Sequence, residues 1–225
     1  MIYKLIKRIF DFVMSLLALL VLSPLLIPVI IGLLLTGEHY VFYFQERIGK
    51  GGKPFKIWKF ATMLKNSPNM GTGTITTRND PRVLPMGGFL RKTKINEIPQ
   101  LINILIGNMS IIGPRPLVKK GYDLYPDDVK ACISQMTPGL SGIGSVIFRD
   151  EEFYVSQAKD PVEFSKQYIQ PHKGELEKWY FNNRSLYVDF MIIFLTVWVI
   201  LFPKSDLVYK VFPTLPRLNE EIFKL

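Results

Sequence analysis

The sequence predicts an α+β fold, predominantly helical, entered through a membrane-inserting helix at its N-terminus. Three observations carry this. Ile9 to Leu35 is an apolar stretch in which Asp11 is the only charged residue. Two aromatic and β-branched runs, Tyr40–Phe44 and Phe55–Phe60, flank the connection Ile48-Gly49-Lys50-Gly51-Gly52-Lys53-Pro54, which reads as a hairpin. The remainder carries helix start and stop signals rather than further alternating runs.

At 225 residues the chain has room for one domain with a real core. Hydrophobic residues make up 48% of it and the net charge is +9, so it is both apolar and basic. That combination points to an anionic membrane surface or a phosphorylated substrate. Nucleic acid is set aside, because it explains the charge but not the apolar ends. The single cysteine, Cys132, excludes an internal disulfide framework, reads as a small core residue and places the bulk of the chain in the cytoplasm.

The N-terminal segment begins with Lys4, Lys7 and Arg8. A secretory signal would be shorter and would end at a small-residue cleavage site, whereas Thr36-Gly37-Glu38-His39 follows here. The segment is long enough to span a bilayer, for which about 20 apolar residues suffice. Ser23-Pro24 and Pro28 interrupt it, and proline removes a backbone donor, so a break or kink is expected there, with Ser23 helping to satisfy the freed carbonyls. Basic residues lie on both flanks, with Arg47, Lys50, Lys53, Lys56 and Lys59 beyond it. Positive flanks prefer the cytoplasmic side, so a re-entrant helix over 1–36 satisfies both features. A cytoplasmic, membrane-associated catalytic domain over 37–225 follows. Asp11 and Ser15 share a helix face, and Asp11 is expected to pair with Lys7 or Arg8.

Further along, 65–80 is polar and reads as a loop. Leu101–Ile106, between Pro99 and Gly107, reads as a short helix. Asp160-Pro161-Val162-Glu163 is a helix start with an Asp cap. Phe190–Phe202 is 13 apolar residues preceded by Trp179, Tyr180, Phe181 and Tyr187, a pattern for interfacial C-terminal helices.

The densest polar stretches are Asn79-Asp80-Pro81-Arg82, Arg91 through Gln100, and Gly113-Pro114-Arg115-Pro116. Arginine grips phosphate through two parallel N–H groups, and a carboxylate can attack phosphorus, bind Mg²⁺ or act as a base.

These motifs, in order, resemble the bacterial sugar transferases, the monotopic phosphoglycosyl transferases, over nearly the whole chain. The resemblance runs through Lys7-Arg8-Ile9-Phe10-Asp11, the Ser23-Pro24 step, Phe44-Gln45-Glu46-Arg47-Ile48-Gly49, Lys59-Phe60-Ala61-Thr62-Met63 and Asp80-Pro81-Arg82-Val83. It continues through Gly88-Phe89-Leu90-Arg91-Lys92-Thr93, Asn96-Glu97-Ile98-Pro99-Gln100-Leu101, Gly107 through Pro116, and Pro138-Gly139-Leu140-Ser141-Gly142. It implies transfer of a sugar-1-phosphate from a nucleotide-diphosphate sugar, usually UDP-linked, to a polyprenyl phosphate at the cytoplasmic face of the inner membrane, with Mg²⁺. A homodimer is compatible with it.

The resemblance implies an Asp-Glu pair, of which this chain has Asn96 and Glu97. Ala61 stands where Arg is usual and Asn108 where Asp is common, and the run Ile143 through Glu152 replaces a glutamine-bearing ending. That run reads either as a solvated loop or as the source of a replacement acid or metal ligand. The candidate site is therefore Glu97 and Asn96 for catalysis, Arg82, Arg91, Arg115, Pro114, Pro116, Lys59 and Gln100 for substrate, and Glu97 and Asp80 for metal. The other reading of Asn96 is a catalytically impaired relative that binds substrate or scaffolds an assembly at the membrane.

Overall fold

The computed structural model describes residues 2–71, 80–203 and 205–219, so most of the threonine-rich part of the expected 65–80 loop lies outside the described residues. The chain opens with α1 (Ile2–Leu35), a helix of 34 residues that stays helical through Pro24 and Pro28. The expected break at Ser23-Pro24 is thus not an end of the helix. Pro24 has no N–H for the Leu20 carbonyl, and the Ser23 hydroxyl donates to that carbonyl instead, at 2.8 Å. A local replacement donor lets the helix continue across a proline in apolar surroundings.

One face of α1 packs along the rest of the protein over its full length. Asp11, Ser15, Val29 and Leu33 are buried. Ala18, Leu19 and Leu22 pack on Ile57, Leu101, Ile104 and Met109, and Leu26 and Ile30 pack on Phe60 and Leu90. The steps of three and four mark one helical stripe. The opposite face leaves Leu5, Ile9, Phe12, Leu16, Leu20, Ile27, Ile31 and Leu35 exposed. An apolar surface this continuous suits lipid rather than water.

Polar contacts fix the N-terminal half of α1. The Tyr3 hydroxyl and Lys7 ammonium both donate to Asp189 Oδ2, each at 2.9 Å. Arg8 donates to the carbonyls of Ile104 and Leu105 at 2.6 and 2.7 Å. Asp11 therefore does not pair with Lys7 or Arg8. Its carboxylate accepts the backbone N–H of Ile111 at 3.0 Å, an amide the edge of a short strand would otherwise leave open.

The hairpin forms as expected: β1 (Phe42–Ile48) pairs antiparallel with β2 (Pro54–Phe60), Phe42 opposite Phe60 and Ile48 opposite Pro54. Its connection turns through Gly51 and Gly52 at φ +73° and +70°, a region closed to most side chains. Then come α2 (Gly87–Lys92), a 3₁₀ turn Ile95–Glu97 and α3 (Gln100–Leu105). Arg8 donates to the last carbonyls of α3, of which that of Ile104 also accepts the Gly107 N–H.

A second, unexpected sheet pairs β3 (Ser110–Ile112) in parallel with β4 (Gly139–Ser141). The crossover between them carries α4 (Lys119–Asp123) and α5 (Asp127–Ser134). A Cβ on Gly113 would lie 2.3 Å from the Thr137 carbonyl and one on Gly139 would lie 2.2 Å from the Gly113 nitrogen, so only glycine permits this approach. It seats the Pro114-Arg115-Pro116 turn directly on β4.

The remaining helices are α6 (Ile143–Ile147), α7 (Glu151–Gln157), α8 (Pro161–Phe164), α9 (Gln170–Asn183), α10 (Leu186–Leu201) and α11 (Leu207–Val211), with a π-helical turn over Ser165–Ile169. The run 143–152 is thus helical rather than a solvated loop. Asp160 caps α8 as expected, accepting from the N–H groups of Val162 and Glu163. The largest core gathers Leu176, Tyr180, Ile192, Leu195 and Ile169 with Ile143 and Ile112. Helix α10 buries Val188, Ile192, Leu195 and Val199 in it while exposing Phe190, Phe194, Val197 and Ile200. Phe10 of α1 meets Phe190 edge-on at 5.1 Å, so the two exposed apolar faces adjoin.

Asn103 joins α3 to the hairpin. It is fully buried, its amide nitrogen donates to the Lys56 carbonyl at 2.8 Å, and its oxygen accepts the Trp58 N–H at 2.9 Å. Asn103→Ala leaves two part-buried backbone groups of β2 without their partner and is expected to cost about 1–3 kcal/mol. Chemical denaturation in detergent checks this; a loss below about 1 kcal/mol would refute the role.

Candidate active site

Three separate segments meet at one carboxylate. Lys59, near the end of β2, places its ammonium 3.0 Å from Glu97 Oε1. Arg115, between two prolines that restrict its backbone, brings Nη2 to 3.7 Å from the same oxygen. Glu97 closes the 3₁₀ turn Ile95–Glu97, whose entry residue Lys94 has φ +60°. A non-glycine residue held in the left-handed region stores strain, as functional sites often do.

The charges do not balance. Burial alone would raise the Glu97 pKa, but Lys59, Arg115 and Lys94 outweigh it and hold the carboxyl well below the usual carboxylate range. Burial pushes the Lys59 ammonium down to about 8, with Glu97 pulling it back and Arg115 and Arg47 adding to the fall. Burial and the field of Arg115 also push Arg47 down, to about 10. Glu97 thus faces Lys59, Arg115, Lys94 and Arg47, while Glu151, itself bound to Lys173, also acts on Arg115 and Lys94; the balance is still a local excess of positive charge that suits an anion. The Arg115 side chain is 45% exposed, so it can reach one.

The Pro-Arg-Pro turn is pinned on several sides. The Pro114 carbonyl accepts the Gly139 N–H at 2.8 Å. The Pro116 carbonyl accepts from Arg47 at 3.0 Å. The Leu117 carbonyl accepts the Ile48 N–H at 2.8 Å. Such preorganisation lets Arg115 meet a ligand without the turn having to order first.

The other sequence candidates divide. Lys59, Glu97, Arg115, Pro114 and Pro116 converge, and Gln100, the first residue of α3, is buried. Arg82 and Asp80 are both buried and bound to each other, Arg82 through Nε and Nη2 and Asp80 through both oxygens. Arg82 also donates to the carbonyls of Ser67 and Met70, at 2.9 and 2.8 Å. This pair holds the loop at 67–70. Arg91, at the end of α2, lies 3.6 Å from Glu152 and donates to the Met63 sulfur. Ser23 and Pro24 lie within α1.

Arg47, Lys94, Glu151, Lys173 and Glu177 were not singled out as site residues. Glu151 and Lys173 form a 2.6 Å ion pair, and Glu177 of α9 lies against the backbone N–H of Arg115. Glu151, Lys173 and Glu177 lie in helices, where charges usually face water, and nothing local in the sequence marks Arg47 or Lys94 as meeting Glu97. The run 143–152 does supply two structural partners, Glu151 for Lys173 and Arg149 for the Val199 carbonyl.

Among the described residues no three of His, Cys, Asp and Glu gather into a metal cluster. Mg²⁺, however, commonly takes one or two protein oxygens and fills its sphere with water and substrate phosphates. Glu97 carries a second carboxylate oxygen, and the neighbouring Asn96, 6% exposed, has a buried amide oxygen with no hydrogen-bond partner. This hard-oxygen donor set fits a phosphate-shared ion and not a closed protein cage.

The sequence profile of the family described as "Bacterial sugar transferase" matches residues 2–203. The chain belongs to the bacterial sugar transferase family. Among relatives within it, the "UDP-glucose:undecaprenyl-phosphate glucose-1-phosphate transferase" of Escherichia coli (strain K12) is 36% identical over 197 residues, covering 86% of this chain and 40% of the relative. The "Exopolysaccharide production protein ExoY" of Rhizobium meliloti (strain 1021) is 33% identical over 205 residues, covering 85% of this chain and 83% of the relative. The "Undecaprenyl-phosphate galactose phosphotransferase" of Salmonella typhimurium is 31% identical over 212 residues, with coverage of 88% and 41%. This bacterial sugar transferase chain therefore spans less than half the length of two of these relatives and most of the third.

Arg82 and Arg115 should separate cleanly by experiment. Arg82→Lys keeps a charge beside Asp80 but loses the forked pairing and the two carbonyl contacts, and is expected to cost about 1–3 kcal/mol. Arg115→Lys, partly exposed, should change stability by less than about 0.5 kcal/mol yet weaken pyrophosphate binding, because the guanidinium fork is lost. Thermal unfolding and calorimetric titration check the two outcomes; equal losses of stability would refute the division.

Proposed function

We propose that this chain transfers a sugar-1-phosphate from a nucleoside-diphosphate sugar, UDP-linked, to a polyprenyl phosphate at the cytoplasmic face of the inner membrane. The observation that carries this is the excess of cations around Glu97, in a body packed along an apolar helix of 34 residues. An anionic head is drawn to the cations while its lipid tail stays with the apolar face. The name of the E. coli relative supports a UDP-sugar donor, and the E. coli and Salmonella names both support undecaprenyl phosphate as the acceptor class.

In this reading Arg115 takes oxygens of the donor diphosphate through its fork, and Lys59 neutralises charge beside it. An acceptor phosphate oxygen bonds to the sugar-bearing phosphorus. The bond from that phosphorus to the bridging oxygen breaks, and the nucleoside monophosphate leaves with the electron pair. The acceptor is already an anion, so it needs no base. Glu97, held ionised far below neutral pH, is a poor general base; it suits a ligand or a nucleophile better. Asn96 and Glu97 would hold Mg²⁺ through their oxygens, and the ion would neutralise diphosphate charge. An amide oxygen is a far poorer nucleophile than a carboxylate, so Asn96 forms no covalent intermediate in this scheme.

Both halves of α1 pack on the same body, which supports re-entry rather than a simple crossing. Cysteines placed at Ile2 and Asn66, in a Cys132→Ala background, are expected to label from the same side of sealed vesicles. Labelling from opposite sides excludes re-entry.

The activity itself is tested by radiolabel transfer from a panel of UDP-sugars to undecaprenyl phosphate. Wild type should transfer, and Glu97→Gln should lose on the order of a hundredfold or more in rate. After incubation without acceptor, mass spectrometry should find no phosphosugar on Asn96; a label on Glu97 would indicate a two-step route. Inactive wild type alongside active Asn96→Asp would overturn the enzyme reading in favour of a substrate-binding scaffold.

A further inference from the structure

A crevice of about 250 Å³ lies between α1 and α10. Phe10 of α1 and Leu186, Phe190 and Ile193 of α10 line its sides, and Ile111 and Ile112 of β3 line its floor. Phe10 and Phe190 meet edge-on with ring centroids 5.1 Å apart, so the two sides touch. The polar lining residues are Lys7, Asp11 and Asp189, and each is already bonded within the protein. Lys7 donates to Asp189 at 2.9 Å, Tyr3 and Tyr180 donate to the same carboxylate, and Asp11 accepts the Ile111 N–H at 3.0 Å. What the crevice offers a ligand is therefore hydrocarbon. The same bonds tie α1 to α10 and β3, so the crevice is preformed.

Its surroundings say what kind of hydrocarbon. Ile9 and Val13 of α1 and Phe194 and Val197 of α10 are exposed on either side, which makes the crevice continuous with surface that suits lipid. Its floor leads toward the ion cluster: Ile112 is followed by Gly113-Pro114-Arg115. Three extended residues span at most about 11 Å, which bounds the distance from the floor to the Arg115 backbone.

We propose that this crevice holds the first isoprene units of the polyprenyl acceptor, those next to the phosphate, and aims that phosphate at Arg115. This rests on the reading of the chain as a polyprenyl phosphate transferase. An apolar cavity of about 150 Å³ takes one benzene ring, so this crevice has room for roughly two five-carbon units. A tail gains no hydrophobic free energy by leaving a bilayer for an apolar groove. The gain is close contact with rigid walls and a fixed direction for the reacting end. A diacyl lipid carries a second chain that a crevice of this size does not take, whereas a polyprenyl phosphate has one.

The test is steady-state transfer by the whole protein in phospholipid nanodiscs, with undecaprenyl phosphate varied at fixed UDP-sugar and then the reverse. Ile193→Trp fills the crevice and should raise KM for undecaprenyl phosphate roughly fivefold, the scale of packing contacts inside a bilayer, with kcat and the UDP-sugar KM unchanged. Phe190→Ala removes one side instead; the ring is 51% exposed, so the fold is retained and the acceptor KM should rise in the same way. Val197→Trp adds the same bulk one turn further along α10, at a residue 55% exposed, and should change none of these constants. A direct reading comes from p-benzoylphenylalanine placed at Phe190 and, separately, at Val197. On irradiation the first should capture the prenyl chain above its molar share of the bilayer, and the second only in proportion to it. An unchanged acceptor KM in both crevice variants of an active enzyme, equal capture at the two positions, or capture of phospholipid alone at Phe190 overturns the proposal and leaves the transferase reading intact. A wild type that transfers from no UDP-sugar overturns both.

Discussion

The attraction between one carboxylate and a surplus of cations organises this protein's functional end. Glu97 draws together the end of β2 through Lys59 and the Pro-Arg-Pro turn through Arg115. Without it, Lys59 and Arg47, partly buried, and Lys94 and Arg115, exposed, would repel one another. With it, they are held close but incompletely neutralised. An incoming anion can therefore be stabilised with little reorganisation of the protein, the condition under which electrostatic stabilisation is most effective.

The second constraint is the helix that must satisfy two solvents at once. One stripe of α1 is buried against β2, α3 and α2, and the other stripe is apolar and open. Polar ties at its N-terminal half, from Tyr3, Lys7, Arg8 and Asp11, join it to α10, α3 and β3. Arg8 meets the carbonyl end of α3, the helix that begins just after Glu97. The apolar helix and the segments that carry the charged site are consequently one packed unit.

Asn96 and Glu177 express a common theme. Each has a buried oxygen without a protein partner beside an otherwise well-bonded framework. Asn96 adjoins Glu97 in sequence, and Glu177 backs Arg115. Unpaired buried polar atoms are rare in folded proteins. Arg47 Nε, in the same ion cluster, is a third, and such atoms suit a site whose polar groups are completed by a ligand or ion rather than by the chain itself.

Much of the local structure was legible in the residues. Glycines between two aromatic runs made the hairpin, Pro99 and Gly107 bracketed α3, and Asp160 capped α8, because turns and caps depend on side chains within a few positions. The family, too, followed from motif order, since it is written in residue identity. What the sequence could not decide was which charges meet. Lys7, Arg8 and Asp11 looked like partners by spacing, yet each is bound to a distant segment. Asp80 and Arg82 looked like ligands, yet they close on each other. Lys173 and Glu177 carry no local signal of burial, yet the packing of α9 buries both, and Lys173 binds the partly exposed Glu151 of α7. The parallel pairing of β3 with β4 and the continuity of α1 through its prolines likewise depend on groups remote in sequence or on a single hydroxyl's geometry. Short-range stereochemistry is carried by the sequence itself. Long-range electrostatics is fixed only when the tertiary structure sets distances and removes water, because both the strength of an ion pair and the cost of an unpaired charge follow from those two quantities.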